Sequence, residues 1–518
     1  MNSVSKLAAA LAAAACLAVA GCAGLKGAGH EIVAVDANDS QLLRRDIPEN
    51  HGFDSAKLAA GIEEIRRSGL RAHSLVIVRD GAILSEAYFE PYDGTIYHDQ
   101  ASVTKSFMTT LVGIAIDRGR LTLDAPLVSF FPGREIADRD ERKERVTVRH
   151  LLSCSSGLSG DPRDAERTAA EMRASPDWVQ FALDRPCIAE PGERFAYSNL
   201  DMHLLSAILQ EATGRTALEY ARTELFAPLG IQDVHWDSDP QGYTRGWGDL
   251  SLKPVDAAKL GQLFLDRGAW GTARIVSADW VARATATQAR TESWRKEDYG
   301  FGWWVSRKGA IPTFLADGRG GQRILVAPGL DLIIAMTGGG FEIDDAMESI
   351  LPALSWTRKK LRPNSTALAS LRAAERSRRD EPAAQAAPEA PAIASSVSGR
   401  IYDFERNAIG VRSVAMDFRP GREAELRLEM QDESAPRVSM IGLDGEYRAS
   451  CAGRPVLARG SWTDDGAFRF EYNEGPGLNP YEIWMRFAPG GLRFELSLIG
   501  STERLAAEGL ERVAHAPR

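Results

Sequence analysis

The chain has 518 residues, of which 44% are hydrophobic and 26% are charged, with 71 Asp and Glu against 62 Lys and Arg. A chain of this length and composition buries large cores and folds as roughly two to four domains, so it is neither disordered nor collagen-like. The net charge of −9 argues against a nucleic-acid-binding protein, because an acidic surface repels phosphates.

The N-terminal segment is predicted to be a leader and no part of the fold. Residues 7–20 form an apolar run of about 14 residues behind an early lysine, as in the core of a signal peptide, and too short to span a membrane. The run leads to Val19-Ala20-Gly21-Cys22, which resembles the lipobox of bacterial lipoproteins. Ordinary secretion with cleavage nearby is the alternative.

The lipobox resemblance implies how the mature protein is held. Residues 1–21 would be a lipoprotein signal peptide, and Cys22 would carry acyl chains such as palmitate. Residues 22–50 would then tether an exported body to the cell envelope. In a Gram-negative cell, the periplasmic side of the outer membrane is the expected location.

Three cysteines lie beyond the leader. Cys154 and Cys187 either form a disulfide, which an exported compartment permits, or are two small buried hydrophobic residues. The sequence leaves both possibilities open. Cys451 is expected to be a free thiol.

Residues 51–362 are predicted to form one α+β domain. Strand-like runs near each end of this region are separated by helical patterns, which favours one antiparallel sheet flanked by helices. The predicted strands are 73–79 and 82–89 around the turn Asp80-Gly81, 301–305, and 323–327 with 331–336 around Pro328-Gly329. The predicted helices are 103–118, 201–213, 254–267 and 277–287.

The remaining chain is predicted to contain a connector and a second domain. Residues 363–397 comprise a helix at 364–379 and a flexible linker rich in Ala and Pro at 381–396. Residues 398–518 show short alternating strands with hairpin turns between them and no helical pattern. They predict an antiparallel β-domain, either a small lipocalin-like barrel or a sandwich.

Several cofactor and metal patterns are absent from the sequence. It contains no His-Glu-x-x-His or Cys-x-x-Cys pattern for zinc, no phosphate loop and no Gly-x-Gly-x-x-Gly. We therefore expect neither a cofactor nor a metal. The absence of a Gly-x-Ser-x-Gly elbow also argues against an α/β-hydrolase.

The pattern Ser-x-x-Lys occurs three times, beginning at Ser3, Ser102 and Ser293, but only one copy lies in a suitable context. Ser102 and Lys105 directly precede an apolar helix, so both side chains should share one helix face, with Ser102 near the N-terminus. There the free N–H groups stabilise an oxyanion, and a desolvated lysine can act as the base for a serine nucleophile. The alternative is a capping serine beside a solvated lysine.

Tyr197-Ser198-Asn199 is the only Tyr-x-Asn in the chain and precedes a predicted helix. A phenol at a site entrance can pass protons to a leaving group, and a neighbouring ammonium would favour its phenolate form. The alternative is a core tyrosine followed by a capping asparagine.

A glycine-rich stretch, Asp317-Gly318-Arg319-Gly320-Gly321-Gln322, leads into a predicted strand. Glycines at a strand edge let a ligand approach the backbone, so one N–H here is a candidate to complete an oxyanion hole with the N–H of Ser102. A glycine-rich loop with no catalytic role is the alternative.

Taken together, these motifs resemble the serine β-lactamase and penicillin-binding-protein superfamily, in its class C-like branch. That branch also holds esterases and 6-aminohexanoate-dimer hydrolases. The similarity covers about residues 50–360 and includes the order of the three motifs. It implies acylation of Ser102, proton relay by Lys105 and Tyr197, and orientation of Lys105 and the substrate by Asn199.

The glycine-rich stretch departs from the Lys-Thr-Gly pattern of class C β-lactamases. It has no lysine and no hydroxyl to hold a substrate carboxylate, and it looks like the aminohexanoate-hydrolase and esterase members instead. This departure argues against efficient β-lactamase activity. Arg319 either replaces the missing cation or points into solvent.

The sequence thus predicts an exported, lipid-anchored serine hydrolase whose partner is a small ester, amide or peptide substrate. The alternatives are a D,D-peptidase-like cell-wall enzyme and a catalytically inactive ligand-binding lipoprotein. Trp247, Trp303 and Trp304 could line the cleft or belong to the core. The role of the β-domain, the oligomeric state and the true substrate stay open.

Overall fold

The computed structural model covers the end of the predicted tether, residues 43–50, and most of the two predicted domains. It describes residues 43–160, 165–292, 297–306, 311–340, 343–356, 359–376, 390–419, 421–431, 436–450, 455–475, 480–499, 501 and 503–512. The predicted signal peptide, Cys22, Cys451 and the first part of the predicted linker lie outside these residues.

The described residues form two compact units. The first contains those of Met1–Phe89 and Gln100–Ser377, and the second those of Glu90–Asp99 and Arg378–Arg518. This division differs from the predicted domains 51–362, 363–397 and 398–518 at two places. The helix Ser365–Arg376 belongs to the first unit, where it packs into a core, and the segment Glu90–Asp99 belongs to the second.

The first unit is built on a seven-stranded sheet in which the strands from both ends of the unit are neighbours. Residues alternate between its faces: Val76 and Val78 enter one core, whereas Leu75 and Ile77 enter the other. The sheet is therefore buried on both sides, and the sequence prediction of an α+β sheet flanked by helices is confirmed. The strand order is Ala82–Tyr88, Ala72–Arg79, Leu332–Gly338, Gln322–Ala327, Phe314–Gly318, Trp304–Ser306 and Glu297–Tyr299.

Helices cover both faces of this sheet. The helix Thr104–Asp117, called the central helix below, is buried from Thr104 to Ala115. Its buried hydroxyl groups at Ser106, Thr109 and Thr110 are hydrogen-bonded to backbone carbonyls. The other helices of the unit are Ser55–Arg67, Glu141–Glu144, Val148–Leu152, Ala165–Arg173, Trp178–Leu183, Asn199–Thr213, Ala217–Ala221, Pro254–Leu265, Ala278–Ala284, Ile343–Ile350 and Ser365–Arg376. Short strands lie at His235–Trp236, Leu250–Leu252, Ala269–Trp270 and Ala273–Arg274.

The second unit contains a closed nine-stranded β-barrel, which resolves the predicted choice between a barrel and a sandwich. Closure is made where the strand Arg437–Gly442 pairs with Val456–Trp462 through Gly442 and Arg459. Side chains alternate as the sequence predicts: Leu426 and Leu428 enter the barrel core, and Arg427 faces outward. Around the barrel the strands are Arg437–Gly442, Glu423–Met430, Val411–Phe418, Ile401–Phe404, Leu505–Glu511, Gly491–Leu498, Tyr481–Ala488, Phe468–Glu474 and Val456–Trp462, with Arg448–Ser450 beside the last.

One expectation about the linker needs correction, and one alternative that the sequence left open is resolved. Residues 392–397, within the predicted flexible linker, form the short helix Ala392–Val397 because Ala394 and Val397 are buried in the second unit. In the first unit, Cys154 and Cys187 are free and buried, so the disulfide between them is absent. Both thiols pack in the core as small hydrophobic residues.

Candidate active site

Ser102 lies in a short 3-10 turn, Ala101–Val103, that runs directly into the central helix. Lys105 follows one turn later, and its Nζ donates a hydrogen bond of 2.9 Å to the Ser102 Oγ. The sequence prediction that this spacing brings both side chains together is therefore confirmed. Neither the signal-sequence Ser3 nor the Ser293 copy of the motif lies within the described residues.

Lys105 is placed where its amine is available as a base. Its side chain is only 1% exposed, and burial lowers its pKa to about 8. The Nζ also donates a hydrogen bond of 3.0 Å to the backbone carbonyl of Trp247. This contact holds the amine beside Ser102, and the lowered pKa makes its uncharged form more accessible near neutral pH than that of an exposed lysine.

Tyr197 lies beside Ser102 and Lys105. Its hydroxyl hydrogen-bonds the Ser102 side chain, and the Lys105 Nζ lies 4.8 Å from the centre of its ring. Burial raises the pKa of the Tyr197 phenol well above its usual range, which favours the neutral phenol over the phenolate that a neighbouring ammonium would promote. The Lys105 amine lies near the face of this ring.

Three tryptophans near the site were assigned by the sequence neither to the cleft nor to the core. Trp304 is half-buried and stacks on the Tyr197 ring with centroids 5.9 Å apart. Trp303, by contrast, is fully buried in the core. Trp247 is also buried, and its contribution to the site is its carbonyl group, which no side-chain motif could have indicated.

Asn199 does not contact Lys105 in the way the family resemblance implies. It begins the helix Asn199–Thr213 and is 2% exposed, and its Nδ2 donates to the carbonyl of Ala165 at 3.1 Å. A carbonyl only accepts, so the amide nitrogen must face Ala165. Orientation of Lys105 falls instead to the Trp247 carbonyl.

Gly318 brings the edge of the sheet against the nucleophile. A Cβ at this position would lie 3.2 Å from the Ser102 nitrogen and 2.7 Å from the Gln100 oxygen, so only glycine permits this approach. The turn before Ser102 is strained, because Ala101 adopts a positive φ of 44°. The backbone at Gly318 therefore lies close to the Ser102 nitrogen.

The rest of the glycine-rich stretch is a tight turn held from within. Gly320 and Gly321 have φ values of 85° and 100°, a region that other residues avoid. Gln322 fixes the turn. Its side-chain amide nitrogen, Nε2, donates hydrogen bonds to the carbonyls of Arg319 and Gly338 at 2.9 and 2.8 Å. Arg319 is exposed at the tip of this turn.

A buried cation that the sequence did not single out lies beside this turn. Arg323 is 5% exposed and forms an ion pair with Asp317, its cross-strand neighbour. Its guanidinium also donates to the Gly318 and Gln322 carbonyls. The charge of Arg323 is thus already matched inside the protein, next to the strand edge that faces Ser102.

The described residues were searched for metal-binding clusters and for membrane-spanning helices. Among the described residues, no group of three or more His, Cys, Asp or Glu side chains is arranged to hold a metal ion. Within the same part of the chain, no helix combines the length and apolarity needed to cross a bilayer.

Comparisons with known proteins match the first unit. A family model described as Beta-lactamase matches residues 57–341, which is more than half of the chain. The chain is 25% identical over 353 residues to "Putative D-alanyl-D-alanine carboxypeptidase" of Escherichia coli (strain K12), covering 54% of this chain and 80% of that protein. It is 27% identical over 234 residues to "Esterase EstB" of Burkholderia gladioli, covering 40% and 59% respectively.

A solved structure shows the same fold. The chain superimposes on "Putative 6-aminohexanoate-dimer hydrolase from Bacillus anthracis" with a TM-score of 0.51 and 16% identity, over 60% of this chain and 86% of that one. At this identity the similarity concerns the fold. Together with the family match, it confirms the resemblance that the motifs indicated.

Proposed function

The chain belongs to the β-lactamase family and is a serine hydrolase, and from that premise we propose that it cleaves a small ester or amide through an acyl-enzyme on Ser102. One observation carries the proposal: the Lys105 Nζ lies 2.9 Å from the Ser102 Oγ, and burial lowers the pKa of this amine to about 8. A lysine in this state can accept the serine proton near neutral pH.

The geometry supports the following steps. The Ser102 Oγ attacks the substrate carbonyl carbon while its proton passes to Lys105. The carbonyl oxygen becomes an oxyanion bordered by the Ser102 N–H and the backbone at Gly318. Tyr197, a neutral phenol beside Ser102, donates its proton to the departing alcohol or amine and regains a proton from Lys105. Water then gives a proton to Lys105 and attacks the acyl carbon. The bond to the Ser102 Oγ breaks, the Oγ takes this proton back, and the carboxylic acid product leaves.

The charges at the strand edge favour substrates without a carboxylate beside the scissile bond. Asp317 already neutralises Arg323, and Arg319 is exposed on the turn beyond it. A small ester or an amide with an uncharged leaving group therefore fits this site better than a peptide ending in a free carboxylate. This difference supports the esterase or amidase assignment over a D,D-peptidase.

A D,D-peptidase remains the second candidate because one relative is named as a putative D-alanyl-D-alanine carboxypeptidase. The similarity to that relative covers 80% of its length. In that case Arg319 would receive the terminal carboxylate. The variant Arg319→Ala distinguishes the two candidates. In a peptidase, it should lower the rate of cleavage of D-Ala-terminated peptides. In an esterase, it should leave the rate of ester hydrolysis unchanged.

We also propose that the enzyme is exported and anchored in the cell envelope by lipid on Cys22, with residues 22–50 as a tether. The lipobox resemblance at Val19 to Cys22 supports this location. The substrate would then be met outside the cytoplasm.

The first test is intact-mass analysis of a soluble form without the leader and Cys22, residues 23–518, after reaction with a fluorophosphonate. One adduct that disappears in Ser102→Ala is expected, because the probe labels an activated serine. A folded sample that takes up no adduct would favour the alternative of a catalytically inactive binding lipoprotein.

A further inference from the structure

The carbonyl group that holds Lys105 belongs to residues 237–249, a loop of the first unit that connects two short strands and is called the carbonyl loop below. The Lys105 Nζ donates to the Trp247 carbonyl at 3.0 Å. Trp247 lies between Gly246 and Gly248, and a glycine on each side gives the neighbouring backbone wide conformational freedom. The position of this carbonyl therefore depends on what the Trp247 ring and the rest of the loop contact.

The ring of Trp247 is packed in a small buried cluster of three rings. It lies edge-to-face with the imidazole of His203, with centroids 5.1 Å apart, and its centroid is 5.7 Å from that of Trp178. The rings of His203 and Trp178 also contact each other, at 5.8 Å. Because the flanking glycines leave the backbone free, this packing holds Trp247 in place.

His203 also binds the other end of the carbonyl loop. Its Nε2 forms a hydrogen bond of 3.0 Å with the Oδ2 of Asp239, and both side chains are fully buried. A carboxylate only accepts, so Nε2 carries the hydrogen. The Nδ1 of His203 has no hydrogen-bond partner among the described residues, so the contact with Asp239 orients the ring. Asp239 in turn accepts from the backbone N–H groups of Gln241 and Tyr243, which shapes the loop.

Two further contacts attach the carbonyl loop to the same helix, Asn199–Thr213. The Ser206 Oγ donates to the Thr244 carbonyl at 2.6 Å, and both residues are buried. A Cβ at Gly246 would lie 1.9 Å from the Met202 carbonyl oxygen, so this glycine permits the close approach of loop and helix. The loop is thus seated on one face of this helix.

We propose that His203 and Asp239 are positioning residues that hold the Trp247 carbonyl, and through it the amine of Lys105, beside Ser102. The inference rests on the proposed role of Lys105 as the base, and both residues act through Trp247. Without the hydrogen bond from His203, the buried Oδ2 of Asp239 would have no donor, and the carbonyl loop would shift to bring it to water. Trp247 would move with the loop.

The carbonyl loop also affects the charge of Lys105. The Trp247 carbonyl accepts a hydrogen bond that favours the ammonium, and the carboxylate of Asp249, in the same loop, raises the pKa of Lys105 as well. The loop thus opposes the effect of burial, which lowers this pKa. A displaced loop should therefore lower the pKa of Lys105 further. The other titratable groups near Lys105 lie outside the loop and are Cys154, Glu166 and Tyr197.

The titration of Lys105 can be followed without catalysis, by ¹³C NMR of the soluble form, residues 23–518, labelled at the lysine Cε. The signal of Lys105 is the one that disappears in Lys105→Ala. The main variant is His203→Phe, which keeps an aromatic ring beside Trp247 and removes the donor to Asp239. The limiting rate of fluorophosphonate labelling at high pH gives a second readout.

A milder variant has a matched control. Ser206→Ala removes only the hydroxyl that donates to the Thr244 carbonyl. Ser55→Ala removes another buried serine hydroxyl at a helix of the same unit, where it donates to Glu49 at 3.0 Å, away from the carbonyl loop. If His203→Phe does not fold, the comparison of these two variants decides.

In His203→Phe, the titration midpoint of Lys105 should lie about one pH unit below that of the wild type, as expected for the loss of a hydrogen bond to a charged group. The limiting labelling rate of Ser102 should fall about tenfold, because the amine is less well oriented. Ser206→Ala should change both quantities in the same direction by less. Ser55→Ala should change neither, even where it lowers the melting temperature as much.

Midpoints equal to the wild type in His203→Phe and Ser206→Ala would overturn the inference. A higher midpoint would do so as well, because the loop would then act by excluding water from Lys105. A lower midpoint with an unchanged limiting rate would mean that the loop does not orient the base, and would also overturn it. A wild type that is not labelled at all would instead contradict the proposed function, and the NMR midpoints would still decide whether the loop holds the amine.

Discussion

The surroundings of Lys105 destabilise the charged form of its amine, because the side chain is removed from water. Its amine is buried, donates to Ser102 and to the Trp247 carbonyl, and has no hydrogen bond to a carboxylate among the described residues. Burial disfavours the charged form and lowers the pKa to about 8, whereas an exposed lysine has a pKa of about 10.4. The uncharged amine is therefore more abundant near neutral pH than in an exposed lysine.

The pH dependence of acylation should report this residue. Lys105 accepts a proton only when it is uncharged, so the labelling rate of Ser102 should rise about tenfold per pH unit below the pKa and level off above about 8. Stopped-flow labelling between pH 5.5 and 10 would measure the profile. A rate still rising at pH 10 would indicate a lysine with an ordinary pKa.

Removing either proton-transfer group should be costly. Lys105→Ala and Tyr197→Phe are each expected to lower the acylation rate by at least about 100-fold, because each removes a proton acceptor or donor. Tyr197→Phe retains the ring that stacks on Trp304 and so leaves packing in place. Single-turnover kinetics with a simple ester would measure both, and a near-normal rate in either variant would remove that residue from the mechanism.

At the scale of elements, the hairpin beside the nucleophile carries a buried ion pair that fixes its shape. Asp317 and Arg323 face each other across the strands Phe314–Gly318 and Gln322–Ala327, and Arg323 is 5% exposed. The pair holds the backbone of Gly318 close to Ser102 and leaves no unmatched charge from Arg323 at this edge.

Asp317→Asn should destabilise the first unit by about 3 kcal/mol, because the buried Arg323 would lose its counter-charge. Urea unfolding of the variant would measure this loss. The double variant Asp317→Asn/Arg323→Met serves as a control and should recover part of the stability, since it removes the isolated charge. Equal stability of the wild type and the Asp317→Asn variant would mean that the ion pair has no structural role.

At the scale of the whole molecule, the chain combines a hydrolase unit, a closed barrel and a predicted lipid anchor. The chain leaves the hydrolase unit after Phe89, contributes Glu90–Asp99 to the second unit and returns to the hydrolase unit at Gln100. A boundary drawn only from composition near residues 363–397 misses this excursion.

The anchor gives a separate prediction. Cys22→Ser should abolish incorporation of labelled palmitate and move the protein from the membrane fraction to the soluble fraction, because the acyl chains are attached at this thiol. Fractionation of cells expressing both forms would measure the change. Continued membrane association of the variant without palmitate would contradict anchoring through Cys22.

The sequence by itself determined the features that depend on local periodicity. The spacing of Ser102 and Lys105 predicts a shared helix face because the helix repeats every 3.6 residues, and the alternation around Leu426 predicts a barrel strand because strands repeat every two. The motif order also indicated the family, and the turn residues located both main hairpins.

Only the tertiary structure decided the features that depend on long-range neighbours. Lys105 is oriented by the carbonyl of Trp247, 142 residues away, and the amide of Asn199 is used by Ala165. Burial raises the pKa of Tyr197, and the segment Glu90–Asp99 belongs to the second unit, where Tyr92 accepts a hydrogen bond from Asn473. Desolvation and packing arise only when distant segments meet, so no local pattern in the sequence contains them.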